Sequence, residues 1–409
     1  MAVAQMNSPS TEKSPDEHAS LLQRLFAPDL IGGTLLILAT AVALVWANSG
    51  AADSYDSLWS ARFTIGFEGF QLSKPLILWV NDLLMAIFFL LVGLEIKAEL
   101  LIGELNTPSR AAVPAIAAVG GMITPALIFF LVAHEEPAVR GWGIPIATDI
   151  AFALGCLRML GSRVPSSLLV FLTAVAIIDD LGAILVITIF YAHDMSIAAL
   201  MIAGGLTIAL VVANRTGVRR ISIYMLLGAV LWIATLKSGI HATIAGVILG
   251  LCIPADTDKA TRNLEADESL LRVVEHAVAP WVTLAIIPIF ALANAGVRIG
   301  GLSLSDLNSP SAIGIILGLA IGKQLGIFSA TYAAVRLGLG SLPHGVSWRH
   351  VYGASILGGI GFTMSLFIAA LAFGEGNALA GQAKLAILIA SVLCGAGGIM
   401  VLRRSGSER

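Results

Sequence analysis

Long apolar runs, separated by short polar stretches, repeat along almost the whole chain. A run of about 20 residues crosses roughly 30 Å of hydrocarbon as a helix. On that basis the pattern predicts spans over 29–48, 76–101, 112–134, 140–160, 167–192, 196–213, 220–237, 240–254, 271–297, 312–336, 350–373 and 381–402. The fold class is therefore an all-α polytopic membrane protein of about 12 transmembrane helices. Between the first two spans, Arg62 to Leu72 alternates in part (Phe63, Ile65, Phe67), with Gly66 and Gly69 as turn candidates. This predicts a short β-hairpin on the outer surface. A lone hairpin is marginal in water, so it needs support from its own subunit or from a dimer partner.

Two spans are irregular. In span 4, Pro145 lacks an amide donor and Thr148-Asp149 follow at once, which predicts an interrupted helix. In span 11, Gly358, Gly359 and Gly361 fall within one short run, Leu357 to Thr363. Membrane helices tolerate such breakage around a cavity, although glycines also serve close helix packing. A nucleotide loop does not fit, since no lysine follows the run. One interruption in each half matches the inverted-topology repeats of secondary transporters, with spans 3–5 and 10–12 as the two copies.

Composition agrees with this pattern. Of 409 residues, 57% are hydrophobic and only 12% are charged, against about a quarter charged in soluble proteins. A formal net charge of −2 argues against nucleic acid as a partner. Cys156, Cys252 and Cys394 all fall in apolar runs, so no disulfide is expected. The first 20 or so residues have no apolar core of a signal peptide and read as a disordered cytoplasmic tail over 1–24, with a second short tail over 403–409. Placing both termini in the cytoplasm puts 17 Lys and Arg residues inside and 6 outside, with Lys323 mid-span. The positive-inside rule therefore predicts N-in, C-in.

The candidate chemistry lies in four mid-membrane charges: Asp149, Asp179, Asp180 and Lys323. An ionised group there costs several kcal/mol unless water, a cation or a basic partner compensates it, so such groups are usually functional. Asp179 and Asp180 are sequence neighbours whose side chains diverge by about 100° on a helix, so one can face a cavity and the other a neighbouring helix. A hard cation such as Na+ takes oxygen ligands, and Thr148, Asp149 and the aspartate pair offer them. Burial and mutual repulsion favour the protonated form of a carboxyl. Proton and cation then compete for the same oxygens, which is an exchanger in outline. Lys323 can balance an aspartate or titrate itself. A purely structural buried ion pair is the plainer alternative, and four charges beside two helix breaks argue against it.

Several stretches closely resemble the NhaA family of bacterial Na+/H+ antiporters. They are Asn81 to Glu95, Ala147 to Phe152, Ile178 to Gly182, Lys237 to Thr243, Phe290 to Gly296 and Gly361 to Ser365, and the resemblance covers about residues 25–402. It implies the inverted repeats as well, so that agreement is not independent. By the resemblance, Asp180 is the principal Na+ ligand, assisted by Asp179 and Thr148, and Asp179 exchanges partners with Lys323. Asp149 and Lys323 would compensate the helix ends where spans 4 and 11 cross, a carboxylate suiting N-termini and an ammonium C-termini. The resemblance further implies a core bundle (112–192 and 312–402) moving against a dimerisation panel (29–101 and 196–297). It implies electrogenic exchange of Na+ or Li+ for more protons, a homodimer joined through the hairpin near 62–74, a bacterial inner membrane with its lipid as the setting, and no cofactor.

A pH-sensing cluster at the cytoplasmic mouth is implied at Asp29, Glu95, Glu99, Glu275 and His276, with His241 a further candidate. Read alone, Glu95 and Glu99 are an ordinary i,i+4 pair at a span end, and the two histidines are interface residues. Three positions depart from the family pattern: Ala98 stands where an arginine is frequent, Ala279 where a second histidine is, and Gln324 where a proline follows the core lysine. The transport ligands are all present, so the departures bear on the pH of activation. Two other classes were weighed. An intramembrane aspartyl protease would carry a Gly-x-Gly-Asp motif, which precedes neither Asp149 nor Asp179. A Na+-coupled symporter for an organic solute shares the fold idea, but no residue here names a solute.

Overall fold

In hydrocarbon every backbone N–H and C=O must find a partner within the protein, so apolar runs become helices. The computed structural model describes residues 28–67, 70–103, 106–192, 195–255, 269–298, 300, 306–374 and 377–405. Helix α1 (Pro28–Ala47) turns by 113° into α2 (Ala52–Ser60). Strands β1 (Arg62–Phe67) and β2 (Phe70–Pro75) follow, then α3 (Leu76–Leu101) and α4 (Pro108–Val132). Next come α5 (Ile150–Arg158), α6 (Ser166–Phe190), α7 (Ile197–Arg215), α8 (Ile221–Ser238) and α9 (Ile244–Cys252). The chain ends with α10 (Leu270–Asn294), α11 (Pro310–Arg336), α12 (Trp348–Leu357), α13 (Phe362–Phe373) and α14 (Ala378–Ser405).

Among the described residues, eight helices are long and apolar enough to cross a membrane, and up to ten spans result if each bent pair counts as one. The expected spans 4 and 8 are built from shorter pieces: a 3-10 helix (Ala138–Ile146) with α5, and α9. This is an all-α polytopic membrane protein with one small antiparallel hairpin, its register running from Arg62↔Pro75 to Phe67↔Phe70. Gly69 lies outside the described residues, and Gly66 sits within β1 at φ +133°, a conformation glycine adopts at little cost. The hairpin rests on its own subunit. Trp79 Nε1 donates to the Phe63 carbonyl at 3.0 Å, and Lys74 pairs with Asp82 at 2.6 Å. The expected C-terminal tail begins later than position 403, because α14 runs on through Arg403 and Arg404 to Ser405. Cations in a last turn suit the negative end of the helix. Residues 1–27 and 406–409 are outside the described residues.

Small residues set the closest crossings, as is usual where lipid gives helices no hydrophobic reason to associate. Helices α4 and α11 cross at Gly120, where a Cβ would come within 2.6 Å of the Gly326 carbonyl oxygen. The main buried core joins α1, α3 to α6 and α10 to α14. A second, smaller core lies among α3, α7, α8, α9 and α10. Cys156, Cys252 and Cys394 are buried and free. Three long helices contain a π-helical turn: Val80–Leu84 in α3, Val282–Ile286 in α10 and Gly318–Gly322 in α11. Such turns frequently mark functional sites, and the one in α11 ends immediately before Lys323.

Candidate functional site

Two interruptions meet in the middle of the bundle. In span 4 the 3-10 helix stops at Ile146, Ala147 to Asp149 are extended, and α5 starts at Ile150. In span 11, α12 stops at Leu357 and α13 starts at Phe362, with a bend of 42°. The Asp149 N–H donates to the Ile360 carbonyl at 2.6 Å, tying the two breaks together. Gly358 and Gly361 have ordinary right-handed backbone angles. What the glycines supply is room. A Cβ on Gly359 would collide with the Leu319 carbonyl oxygen of α11 and lie 2.7 Å from Cys394 Sγ.

Four helix ends face one another at this crossing, and side chains complete each of them. Asp149 serves both N-termini. Its carboxylate accepts from Phe152 N–H at 2.9 Å, from Thr363 N–H at 3.0 Å and from the Thr363 hydroxyl at 2.5 Å. The Phe362 N–H donates to Ser391 Oγ of α14 at 3.1 Å. Hydroxyls serve the carbonyl ends: Ser365 donates to the Ile144 oxygen at 2.8 Å, and Thr148 lies 2.8 Å from the Gly358 oxygen. The residue reading expected an ammonium for these carbonyl ends. In the structure Lys323 Nζ instead pairs with Asp179 Oδ2, with both groups fully buried. Thr363, Ser365 and Ser391 were absent from the expected site set. Thr363 and Ser365 carried a signal, since hydroxyls follow directly on a glycine run. Ser391 carried none, being one small polar residue in an apolar helix.

Asp179 and Asp180, both on α6, are fully buried and differ in their partners. Asp179 Oδ2 receives Lys323, and the Thr148 hydroxyl is 2.9 Å away. That hydroxyl has one hydrogen, which serves Asp179 or Gly358 at any moment. Asp179 Oδ1 and both oxygens of Asp180 have no hydrogen-bond partner among the described residues. A buried ionised carboxylate without a partner costs several kcal/mol, so such a group is held neutral by a proton or charged by a cation. The three unpartnered oxygens and the Thr148 hydroxyl form an all-oxygen donor set of the kind a hard cation takes.

A cavity of about 330 Å³ leads to the crossing. Asp149, Thr363 and Met364 line its inner end, and Glu95, Glu99, Arg158, Arg272 and Glu275 line it towards the basic ends of the helices. Arg272 pairs with Glu275 at 2.8 Å. The structure thus brings together Glu95, Glu99 and Glu275. His276 is exposed and does not line the cavity, one residue further round α10. Asp29 lies in the first turn of α1, and its side chain is outside the described residues. His241 belongs to the other end of the site. Its ring meets Phe367 edge-on at 6.2 Å, and Phe367 also meets Phe89 at 5.9 Å and Phe290 at 6.2 Å. Phe290 and Phe367 each lie about one helical turn beyond the last cavity-lining residue of their helices, Ile287 and Met364. Further out, Asn81 and Asn294 form a buried reciprocal amide pair, its shorter bond 2.9 Å.

Comparison with known proteins now bears on this geometry. The family model described as Na+/H+ antiporter 1 matches residues 23–402. A Na(+)/H(+) antiporter NhaA of Rhodospirillum rubrum is 51% identical over 383 residues, covering 92% of this chain and 95% of that protein. The chain belongs to the NhaA family of Na+/H+ antiporters. Two further NhaA relatives agree: that of Aeromonas hydrophila is 48% identical over 94% of this chain and 96% of its own length, and that of Campylobacter concisus 47% over 92% and 91%. The positions that depart from the NhaA pattern also have structural settings. Ala98 lines the cavity beside Glu95 and Glu99. Gln324 turns its amide nitrogen back to the Ala320 carbonyl and accepts from the Tyr352 hydroxyl at 3.1 Å, which links α11 to α12 next to Lys323.

Proposed function

We propose that this protein exchanges Na+ or Li+ for protons across the bacterial inner membrane by alternating access, with both termini in the cytoplasm. The observation that carries the reading is the Asp180 carboxyl, fully buried with neither oxygen partnered among the described residues, beside Asp179, Lys323 and Thr148. A carboxyl so placed holds either a proton or a cation, and exchange is the consequence of holding them in turn. Asp180 is the principal Na+ ligand, with Asp179 and Thr148 completing the set. Lys323 neutralises Asp179 while Na+ is absent. When Na+ arrives at deprotonated carboxylates, Asp179 turns towards the ion and Lys323 is released.

The cycle begins with Na+ entering along the acid-lined cavity from the cytoplasm. The bundle of 112–192 and 312–402 then moves against the panel of 29–101 and 196–297, and the site faces outward. Protons displace Na+ there, and the protonated site returns. More protons than Na+ move per turn, so the exchange is electrogenic and the membrane potential drives it. Asp149 belongs to the framework, because three donors hold its carboxylate in place. Glu95, Glu99 and Glu275 adjust the pH response at the mouth. The protein works as a homodimer through the hairpin, whose Phe63 and Ile65 are half exposed.

The test is Na+-dependent dequenching of a pH dye in everted membrane vesicles. Wild-type protein gives dequenching with Na+ and Li+, and Asp180→Asn gives none. Dequenching by the variant at the wild-type level overturns the assignment.

A further inference from the structure

A second cavity, of about 470 Å³, shares no lining residue with the first. It lies between the first turns of α4 and α6 and the segment 341–344. The Ser167 hydroxyl holds that segment by donating to the His344 carbonyl at 2.6 Å. Val113, Phe171 and Ala174, all buried, form an apolar floor, while Val170 is 43% exposed on the rim. The ionisable lining residues are both basic, Arg110 and His344, and both are exposed.

We propose that this cavity seats the headgroup and glycerol of one anionic phospholipid from the leaflet on the Lys- and Arg-rich side. Depth is the first reason. The lining residues of α4 and α6 fall within about 12 Å of the two span starts at 1.5 Å per residue, where headgroups meet acyl chains. Charge is the second, because a rim with basic groups and no acidic one complements a phosphate ester, and basic pockets between membrane helices on that side recognise such lipids. The apolar floor is the third. It gives a freely soluble anion no benefit but accepts glycerol and the first methylenes, and the volume falls in the roughly 300–1,000 Å³ range of ligand sites. The site is independent of the ion pathway, so it stands or falls apart from the exchange reaction.

Native mass spectrometry of the purified full-length protein in neutral detergent tests the proposal, with phosphatidylglycerol, phosphatidylcholine and inorganic phosphate as probes. Phosphatidylglycerol is expected to be retained, phosphatidylcholine not, and inorganic phosphate is expected not to compete. Arg110→Ala and His344→Ala should each weaken retention by about fivefold, the weight of one basic group near an anionic surface, while Arg110→Lys retains it. Val170→Trp, which narrows the apolar side and leaves both basic groups, should weaken it as well. Each variant is compared only if it elutes as the wild type does on size exclusion. Equal retention of the two lipids, displacement by inorganic phosphate, or unchanged retention in Arg110→Ala/His344→Ala would each overturn it.

Discussion

At the scale of single residues, Asp149 and Asp180 show how two buried carboxyls in one bundle come to differ. Asp149 accepts from two helix amides and a hydroxyl, while Asp180 accepts from no described group. A carboxylate held by several donors is a fixed negative charge, and one held by none is free to take a proton or a cation. Ser391 extends the argument to a residue outside the ion site. Its oxygen accepts from Phe362 N–H at the start of α13, and Ser391→Ala leaves that amide buried and unmet. The expected cost is about 1–3 kcal/mol, seen as a lower thermal midpoint, together with a raised KM for Na+ because Thr363 and Asp149 sit on the same helix start. Ser391→Thr should restore both, and a wild-type midpoint in Ser391→Ala would contradict the assignment. The charged half of the site was legible in the sequence, since Asp149, Asp179, Asp180 and Lys323 stand out against apolar runs. Their partners were not, because a hydroxyl in a membrane helix looks alike whether it bonds its own backbone or another helix. Lys323 shows the limit well: its charge implied a partner, and only the fold chose Asp179 over the helix ends.

At the scale of elements, the crossing of the two broken spans depends on space as well as on caps. Both interruptions were readable, one from Pro145 with Thr148-Asp149 and the other from the glycine run. The 3-10 form of Ala138–Ile146 was not, since it depends on what packs against Gly141 and Gly143. Nor were the π-helical turns, which leave no clear mark in composition. Gly359 offers the sharpest test. A methyl there meets the Leu319 backbone oxygen, which cannot move without shifting the turn before Lys323. Gly359→Ala should therefore abolish exchange or lower the yield of folded protein. Gly395→Ala, whose new methyl would find its nearest neighbour at 3.8 Å, should be tolerated within about 0.5 kcal/mol. Equal behaviour of the two variants would show that room at the crossing is not what position 359 supplies.

At the scale of the whole molecule, the cavity reaches Asp149 from one side only, and the aromatic group around Phe367 stands at its far end. Phe367→Ala deletes a large buried ring between helices assigned to the bundle and the panel, at about 3–5 kcal/mol if nothing refills the space. The expected phenotype is a proton leak in vesicles without Na+ and a reduced ratio of proton flux to Na+ flux, with Phe367→Leu intermediate. A tight vesicle with full coupling in Phe367→Ala would place the barrier elsewhere. The hairpin allows a separate test, since removing 62–74 should shift the protein towards monomer in size exclusion while leaving the ion site unchanged.

The central claim is that protons and Na+ compete for the oxygens of Asp179 and Asp180. It is tested most directly by calorimetric titration of purified protein with Na+ from about pH 6 to 9, in buffers of different ionisation enthalpy that report protons released. Apparent Na+ affinity should fall as pH falls, by about tenfold per pH unit for each proton displaced, with protons released on binding and neither effect left in Asp180→Asn. An Na+ affinity independent of pH, or Na+-linked proton release that persists in Asp180→Asn, would contradict it.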